Sequence, residues 1–432
     1  MSGGLLALPI EAARVLVPAY ALAAVLVVAL LLPLPGVRAR IRVWWPIALA
    51  AAGIGALVGS LLVWYVVDVQ DAFGVSASTV IRGAAAAAGA GVALAVVNLV
   101  RTRWWRKVVA VVAIPMVLAA GGLMINRDVA YFPKLGDVLG ITGVSKLRLD
   151  HGGARALPLR DWTPPAGMPS TGTVGTVDIP GLQSHFNARP AWVYEPPAAR
   201  TANPPRLPVL IALSGEPGSP SDVFIAGGLQ AKLDAIARAH KGVAPIVVVP
   251  DQLGTFRNNT MCLDSPKGHA ATYVTVDVRA WVLRHLPVST DRRSWAVGGF
   301  SQGATCAVQF ASQDPQLFGA FLAISPELGP LDYTIAHTVK ESFGGSRAAF
   351  DAAQPVAIMR RTGPYKDMTA LYCVGAKDHR YGPMLAPLVA ASERAGMRTQ
   401  STRIPGVAHN WNTGADGFAW GLPRLVALWG LP

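Results

Sequence analysis

The stretch Trp295-Ala296-Val297-Gly298-Gly299-Phe300-Ser301-Gln302-Gly303-Ala304 holds a Gly-x-Ser-x-Gly pattern, which organises the rest of the chain. An apolar run precedes Ser301, and small residues with helical character follow it over 304–311. This context predicts a strand, a tight turn that carries the serine, and a helix whose N-terminus points at the serine. The alternative is a glycine-rich turn with an incidental serine. The strand and helix context favours a nucleophile.

The composition predicts membrane segments. The 432 residues allow about two or three domains. Hydrophobic residues make up 52% of the chain and charged residues only 15%, with a mean hydropathy of +0.38, which is more apolar than a soluble enzyme. The formal charge of +13 does not favour a nucleic-acid partner, because many basic residues lie in short loops between apolar spans.

Four apolar spans occur in residues 1–130, each near the roughly 20 residues that a helix needs to cross a bilayer. No span contains a run of ionisable residues, which a transport path usually needs, so an anchor is favoured over a channel or transporter. Glycine and alanine are dense in the second and third spans, which permits close helix packing. The predicted spans cover about 15–32, 46–67, 80–100 and 108–125.

The loops between the spans predict an orientation. Two loops are basic, whereas the loop between the second and third spans carries Asp68 and Asp71. Basic loops stay on the cytoplasmic side, so both chain termini are expected on the outer face of the cell membrane. The residues that carry this argument are Arg38, Arg40, Arg42, Arg101, Arg103, Arg106 and Lys107.

Strand-like and helical segments alternate after a juxtamembrane linker over 131–170. The alternation over 171–432 predicts an α/β fold with a mainly parallel, doubly wound sheet. Residues 326–368 form a longer insertion that is expected to cover part of the site. Strands are predicted at 173–179, 191–194, 208–213, 244–249, 294–300, 319–324, 369–374 and 398–404, and helices at 221–240, 272–285, 383–395 and 414–431.

This domain resembles an α/β-hydrolase, in particular the esterase group that includes esterase D and the mycolyltransferases of actinobacteria. The serine stretch, the end of an acid-bearing strand and the final histidine segment carry the resemblance, over roughly residues 170–432. The whole chain, with four spans and an outward hydrolase domain, resembles membrane-anchored esterase-family proteins of actinobacteria. The resemblance implies a serine hydrolase.

The nucleophile Ser301 needs a base and an acid, which this fold supplies in the chain order serine, acid, histidine. His409, in a segment that resembles the Gly-Gly-His-Asp-Trp loop of the esterase D group, is the predicted base; Asn410 here replaces the aspartate. His379 is the rival. Asp378, which follows a predicted strand, is the predicted acid that orients the base. A solvated turn is the alternative role for Asp378.

The predicted oxyanion hole takes one backbone N–H from Gln302 and a second from the loop after the strand that ends at Leu213. Glu216 is the first choice in that loop and Gly215 the second, while Pro217 has no N–H to donate. The polar loop 251–265 follows another strand end, where ligand contacts collect, although a capped surface loop is the alternative.

The cysteines predict no zinc or redox motif, since none forms a C-x-x-C pair. If the domain lies outside the cytoplasm, Cys262 and Cys306 are the pair to consider for a disulfide, with Cys373 as a buried thiol. Three buried thiols are the alternative. Neither a metal cluster nor a cofactor motif is present in the sequence.

The sequence is compatible with three functions. The leading hypothesis is a membrane-anchored serine esterase that cleaves a carboxylic ester of a lipid or envelope component outside the membrane. The second is an acyltransferase that passes the same acyl group to a sugar or lipid hydroxyl. The third is a non-catalytic envelope scaffold, which the set Ser301, Asp378 and His409 disfavours. The sequence predicts no oligomeric state.

Overall fold

The Gly-x-Ser-x-Gly stretch lies at the end of a central strand in an eight-stranded sheet. A computed structural model of the chain describes residues 3–32, 38–100, 102–149 and 156–432, without the side chains of residues 38–42. The chain forms two compact units, Met1–Thr142 and Gly143–Pro432. The linker predicted at 131–170 extends to both sides of this division.

The sheet of the second unit has the strand order β1-β2-β4-β3-β5-β6-β7-β8. The first two strands pair antiparallel with their neighbours and all the others run parallel, which confirms the predicted α/β fold with a mainly parallel, doubly wound sheet. A separate hairpin at 264–269 has two strands of two residues each, Asp264–Ser265 and Gly268–His269. The strands are β1 (Thr173–Val177), β2 (Ala191–Glu195), β3 (Val209–Leu213), β4 (Ile246–Val249), β5 (Trp295–Phe300), β6 (Ala320–Ile324), β7 (Thr369–Gly375) and β8 (Arg398–Ile404).

Strands β3 to β7 are buried along their whole length. Their residues are apolar on both faces, as parallel strands covered by helices require. The last strand, β8, has the sequence RTQSTRI, alternates between exposed and half-buried residues, and forms one edge of the sheet. The sheet core therefore fixes the positions of the central strand ends, where the site lies.

Most of the helices lie close to their predicted ranges. The predicted helix 221–240 is broken, because Gly228 takes a left-handed conformation with φ 57°. The helices are α1 (Ala13–Leu31), α2 (Arg38–Val63), α3 (Thr79–Leu99), α4 (Trp104–Val129), α5 (Ser221–Ile225), α6 (Leu229–Ala239), α7 (Arg279–His285), α8 (Gln302–Gln313), α9 (Ile335–Ser342), α10 (Arg347–Ala352), α11 (Pro355–Thr362), α12 (Leu385–Arg394) and α13 (Trp411–Trp429).

Several shorter helical segments complete the chain. Two of them are π-helical: Trp64–Val69 extends α2, and Tyr273–Val278 leads into α7, so the helix predicted at 272–285 is regular only in its second half. The single-turn segments are Gly3–Leu6, Leu135–Val138, Leu159–Asp161, Pro197–Arg200, Ala270–Thr272, Arg292–Ser294 and Gly382–Met384.

Four helices of the first unit are long and apolar enough to cross a membrane, by length and composition. Their bounds differ from those of the four predicted spans by one to four residues: Ala13–Leu31, Val43–Val69, Thr79–Leu99 and Trp104–Val129.

Helices α2 and α3 pack through glycines. A Cβ atom added at Gly55 would lie 2.2 Å from the carbonyl oxygen of Gly89, and one added at Gly59 would lie 2.2 Å from that of Ala85. A backbone oxygen cannot move aside as a flexible side chain can, so a larger residue at either position would separate the two helices. The predicted close packing of small residues is therefore present in these two helices.

The basic loop before α4 is shorter than predicted. Because α4 begins at Trp104, both Arg106 and Lys107 lie inside the helix and not in the loop; Arg101 lies outside the described residues. Arg106 is only 2% exposed, and its guanidinium donates hydrogen bonds to the carbonyl oxygens of Leu30 (2.6 Å) and Leu32 (2.7 Å). The Arg106 guanidinium therefore bonds the carbonyl groups at the end of α1, and it also adds to the positive charge on the predicted cytoplasmic side.

Candidate active site

Ser301 occupies a tight turn between β5 and α8. Its backbone has φ 57° and ψ −122°, a region that non-glycine residues rarely adopt, and its N–H donates to the carbonyl of Ile324 at 2.9 Å. This conformation is that of a strand-to-helix nucleophile turn, which presents the serine hydroxyl above the sheet. Ser301 is nevertheless buried, with 8% of its surface exposed.

The two glycines of the pattern are required by contacts with the loop after β3. A Cβ atom at Gly299 would lie 2.5 Å from the carbonyl oxygen of Leu213, and one at Gly303 would lie 2.4 Å from the carbonyl oxygens of both Leu213 and Ser214. Any side chain at these positions would push this loop away from the turn. The Gly-x-Ser-x-Gly spacing thus follows from backbone packing around Ser301.

His409 lies in the loop between β8 and α13, and its Nε2 atom is 2.9 Å from Ser301 Oγ. Phe300 stacks on the imidazole with ring centres 5.0 Å apart, and Tyr381 lies over it at 4.1 Å. The neighbouring Asn410 caps α13, because its side-chain oxygen accepts the backbone N–H of Thr413. An aspartate or an asparagine can make this cap, which explains the departure from the esterase D pattern.

Asp378 lies just after β7, and its Oδ2 atom is 2.9 Å from His409 Nδ1. Burial raises the pKa of its carboxyl group, but the hydrogen bond and charge of His409, with the backbone N–H groups of Tyr381 and Arg380, outweigh burial and lower the pKa. The carboxylate is therefore ionised at neutral pH, and its stabilising interactions are lost only as the pH falls through this lowered pKa.

The structure brings three of the five predicted site residues into one hydrogen-bonded chain: Ser301, His409 and Asp378. The rival His379 is an exposed residue next to Asp378.

The remaining two predicted residues lie in the segments that flank Ser301. Gln302 is the first residue of α8, where the backbone N–H groups have no carbonyl of their own helix to bond. Glu216 lies in the loop after β3, and this loop contacts the turn through Gly215: a Cβ atom there would lie 3.4 Å from Ser301 Cβ. The contact with Ser301 that the structure shows is therefore through Gly215, the second choice.

The loop 251–265 is bonded to α8 and, through Arg189, to the loop after β3. Cys262 in this loop forms a disulfide with Cys306 in α8, and Cys373 is a free, buried cysteine. Buried Asp251 pairs with Arg189 at 2.7 Å, and Arg189 also donates to the carbonyl of Gly218. The sequence indicated the loop that begins at Asp251, but it did not indicate Arg189 or the pairing of Arg189 with Asp251.

The insertion predicted to cover the site contains α9, α10 and α11. It is joined to the loop 251–265 and to the residues after it: Asn259 Nδ2 donates to the carbonyl of Leu331 at 3.0 Å, and Lys267 Nζ lies 2.5 Å from buried Asp332. Within the described ranges, no group of three or more His, Cys, Asp or Glu side chains is arranged to hold a metal ion.

A family comparison decides the identity of the chain. Residues 187–420, a little over half of the sequence, match the family described as "Putative esterase". The chain belongs to this esterase family. An uncharacterized protein of Corynebacterium glutamicum is 32% identical over 289 residues, which are 66% of this chain and 67% of the relative. The esterase is thus a serine hydrolase that acts on carboxylic esters.

Solved structures share the fold of the hydrolase unit. A ferulic acid esterase superposes with a TM-score of 0.52 at 16% identity, over 60% of this chain and 99% of its own. An S-formylglutathione hydrolase from Agrobacterium tumefaciens has a TM-score of 0.49 at 20% identity, over 60% of this chain and 97% of its own. The first similarity shows the α/β-hydrolase fold of the esterase.

Proposed function

We propose that this esterase hydrolyses a carboxylic ester of a lipid or cell-envelope component through an acyl-enzyme on Ser301. The single observation that carries the chemistry is the unbroken hydrogen-bond chain from Ser301 Oγ through His409 to Asp378. We further propose that the four apolar helices anchor the esterase in the cell membrane, with the hydrolase unit on the extracytoplasmic side.

The proposed reaction begins with His409 taking the proton of Ser301 while Oγ attacks the acyl carbon. Asp378 holds the imidazole in the tautomer with its proton on Nδ1 and stabilises the imidazolium that forms. His409 then gives the proton to the leaving alcohol, and the acyl group stays on Ser301. A water molecule then attacks the acyl carbon while His409 takes one of its protons. The tetrahedral intermediate breaks the bond to Ser301 Oγ, His409 returns the proton to Oγ, and the acid is released.

The negative charge on the acyl oxygen needs two N–H donors in each step. The proposed donors are the backbone N–H of Gln302 and that of Glu216, with Gly215 as the alternative in the same loop. The position of Gln302 at the start of α8 supports the first, because its N–H and the helix dipole both favour an anion there. The contact between Gly215 and Ser301 supports a second donor from the loop 214–218.

Exposed apolar side chains support a lipid substrate. Four of them, the apolar rim, follow the carboxyl ends of β4 and β6, on the same edge of the sheet as Ser301: Phe256 (45% exposed), Leu328 (42%), Tyr333 (65%) and Ile335 (46%). The backbone bond from Gly218 N–H to the Phe256 carbonyl joins this rim to the predicted oxyanion loop. Apolar side chains held in water beside a hydrolase site favour contact with acyl chains.

Replacing Phe256, Tyr333 and Ile335 together by serine is expected to lower hydrolysis of a long-chain fluorogenic ester in phospholipid vesicles by roughly tenfold or more, because each side chain loses apolar contact with lipid. Hydrolysis of soluble p-nitrophenyl butyrate should change less than about twofold. Leu283→Ser is the control, since Leu283 is also an exposed apolar side chain (39%) but lies on α7. Equal loss on both substrates would contradict the lipid role, and Ser301→Ala gives the background rate.

Two observations support the outward placement of the hydrolase unit. Arg103 immediately precedes α4 and Lys107 lies in its first turn, next to the short loop after α3, which the positive-inside rule places on the cytoplasmic side. The disulfide between Cys262 and Cys306 is a bond that persists in an oxidising compartment and is rare in the cytosol.

The thiol state of native membranes tests the placement. When membranes are isolated in a thiol-blocking reagent, Cys262 and Cys306 should remain unmodified in peptide mass spectra until a reductant is added under denaturing conditions. Cys373 serves as the internal reference, because it should carry the blocking group once the chain is unfolded without reductant. Modification of Cys262 and Cys306 before reduction would contradict the outward placement.

A further inference from the structure

Gln252 connects the two segments that flank Ser301. It is fully buried (0% exposed) in the loop after β4. Its side-chain Nε2 atom lies 2.8 Å from the carbonyl oxygen of Ser214, and 3.1 Å from Oε1 of Gln302. Ser214 opens the loop that carries Gly215 and Glu216, and Gln302 follows the serine. One amide group is thus bonded to both sides of the predicted oxyanion hole.

The orientation of this amide is fixed by its partners. A carbonyl oxygen can only accept, so the nitrogen of Gln252 must face Ser214. The other amide atom, Gln252 Oε1, is buried and has no hydrogen-bond partner among the residues that the structure describes. The bonds made by its nitrogen therefore hold the Gln252 amide between these two segments.

The hydrogen bond from Gln252 to the Ser214 carbonyl also orients the next backbone N–H. This carbonyl and the N–H of Gly215 belong to one planar peptide unit, so holding the oxygen also fixes the direction of the N–H. The far end of the same loop is held by Arg189, whose guanidinium donates to the Gly218 carbonyl at 3.0 Å and pairs with Asp251. Consecutive residues, Asp251 and Gln252, therefore hold the two ends of this loop.

We propose that Gln252 is a positioning residue of the oxyanion hole, which sets the loop 214–218 and the start of α8 at the separation that the two N–H donors need. The inference rests on the proposed role of Ser301. Gln252 acts through Ser214 and Gln302 and does not touch the acyl group. Its loss therefore affects charge stabilisation in the transition state more than binding of the uncharged ester.

The test is Gln252→Met, which keeps the length of the side chain and removes its N–H donor. We expect kcat for p-nitrophenyl butyrate to fall roughly 10- to 100-fold while KM changes less than about threefold, since a displaced donor costs less than a deleted one. Gln309→Met is the matched control: Gln309 is also buried, also has an unbonded Oε1 atom among the described residues, and lies farther along α8. It should leave kcat within about twofold.

A double-mutant cycle with Gln302→Met separates positioning from general loosening. The two substitutions remove the same bond, so the fall in kcat for the double variant should be clearly smaller than the product of the single effects. Independent effects, an equal loss in Gln309→Met, or a rise in KM without a fall in kcat would each overturn the proposal.

A fluorophosphonate probe distinguishes the two ways of failing. Wild type and Gln252→Met should both be labelled at Ser301, with the variant labelled at least about fivefold more slowly. If the wild type is labelled at Ser301 and the variant equally fast, the positioning role fails alone. If the wild type is not labelled at Ser301, the proposed function itself fails.

Discussion

Replacing Ser301 with alanine is expected to lower kcat for ester hydrolysis roughly 10⁶-fold and to abolish labelling by a fluorophosphonate. The substitution removes Ser301 Oγ, the proposed attacking atom, which lies 2.9 Å from His409 Nε2. Removing the acid instead, by Asp378→Asn, should lower kcat about 10⁴-fold, because the amide no longer holds the imidazole in the required tautomer. Both losses are measured with p-nitrophenyl butyrate in detergent.

Ser325→Ala is the control for Ser301→Ala. Ser325 is also a buried serine with positive φ (54°) directly after a parallel strand, β6, one position along the sheet. Its replacement should leave kcat within about twofold and labelling intact. Activity of the Ser301→Ala variant within about tenfold of wild type would contradict the assignment of the nucleophile.

Breaking the disulfide is expected to produce the largest loss of stability. Cys262 and Cys306 are separated by 44 residues, and closing a loop of that length removes about 4 kcal/mol of conformational entropy from the unfolded chain. The variant Cys262→Ala/Cys306→Ala should therefore unfold on the order of 10 °C below wild type in detergent. It should also lose activity near its working temperature, since the loop 251–265 holds the loop beside Ser301.

Cys373→Ala is the matched control, because Cys373 is equally buried in β7 but forms no disulfide. Its melting temperature should fall by only a few degrees, as expected for a small cavity. A double variant as stable as Cys373→Ala would show that the disulfide contributes little.

The sequence predicted the fold and the central residues of the site because both depend on local patterns. Buried strands are continuous apolar runs, and Ser301 and Asp378 lie at or just beyond the ends of two of them, whereas His409 follows the polar edge strand β8. The parallel order of the sheet then brings those strand ends together. The roles of the three residues stay predictions until the variants are measured.

The sequence could not predict contacts between loops that are distant along the chain. Nothing in the order of residues pairs Gln252 with Ser214, or Arg189 with Gly218, since these bonds exist only once β3 and β4 are neighbours. The same limit applies to Arg106, whose partners on α1 lie more than 70 residues earlier. For Glu216, the sequence could identify the loop but not the direction of each N–H.

The buried Arg106 has a consequence for how the first unit assembles. The last carbonyl groups of α1 have no donors in their own helix, and each later apolar helix supplies one: Trp44 from α2 bonds Leu31, Asn98 from α3 bonds Leu30, and Arg106 from α4 bonds Leu30 and Leu32. During synthesis the end of the first helix is therefore completed only when the fourth has been made. A chain that stops after α3 would leave the Leu32 carbonyl without its Arg106 donor, so the end of the first helix would be incompletely bonded.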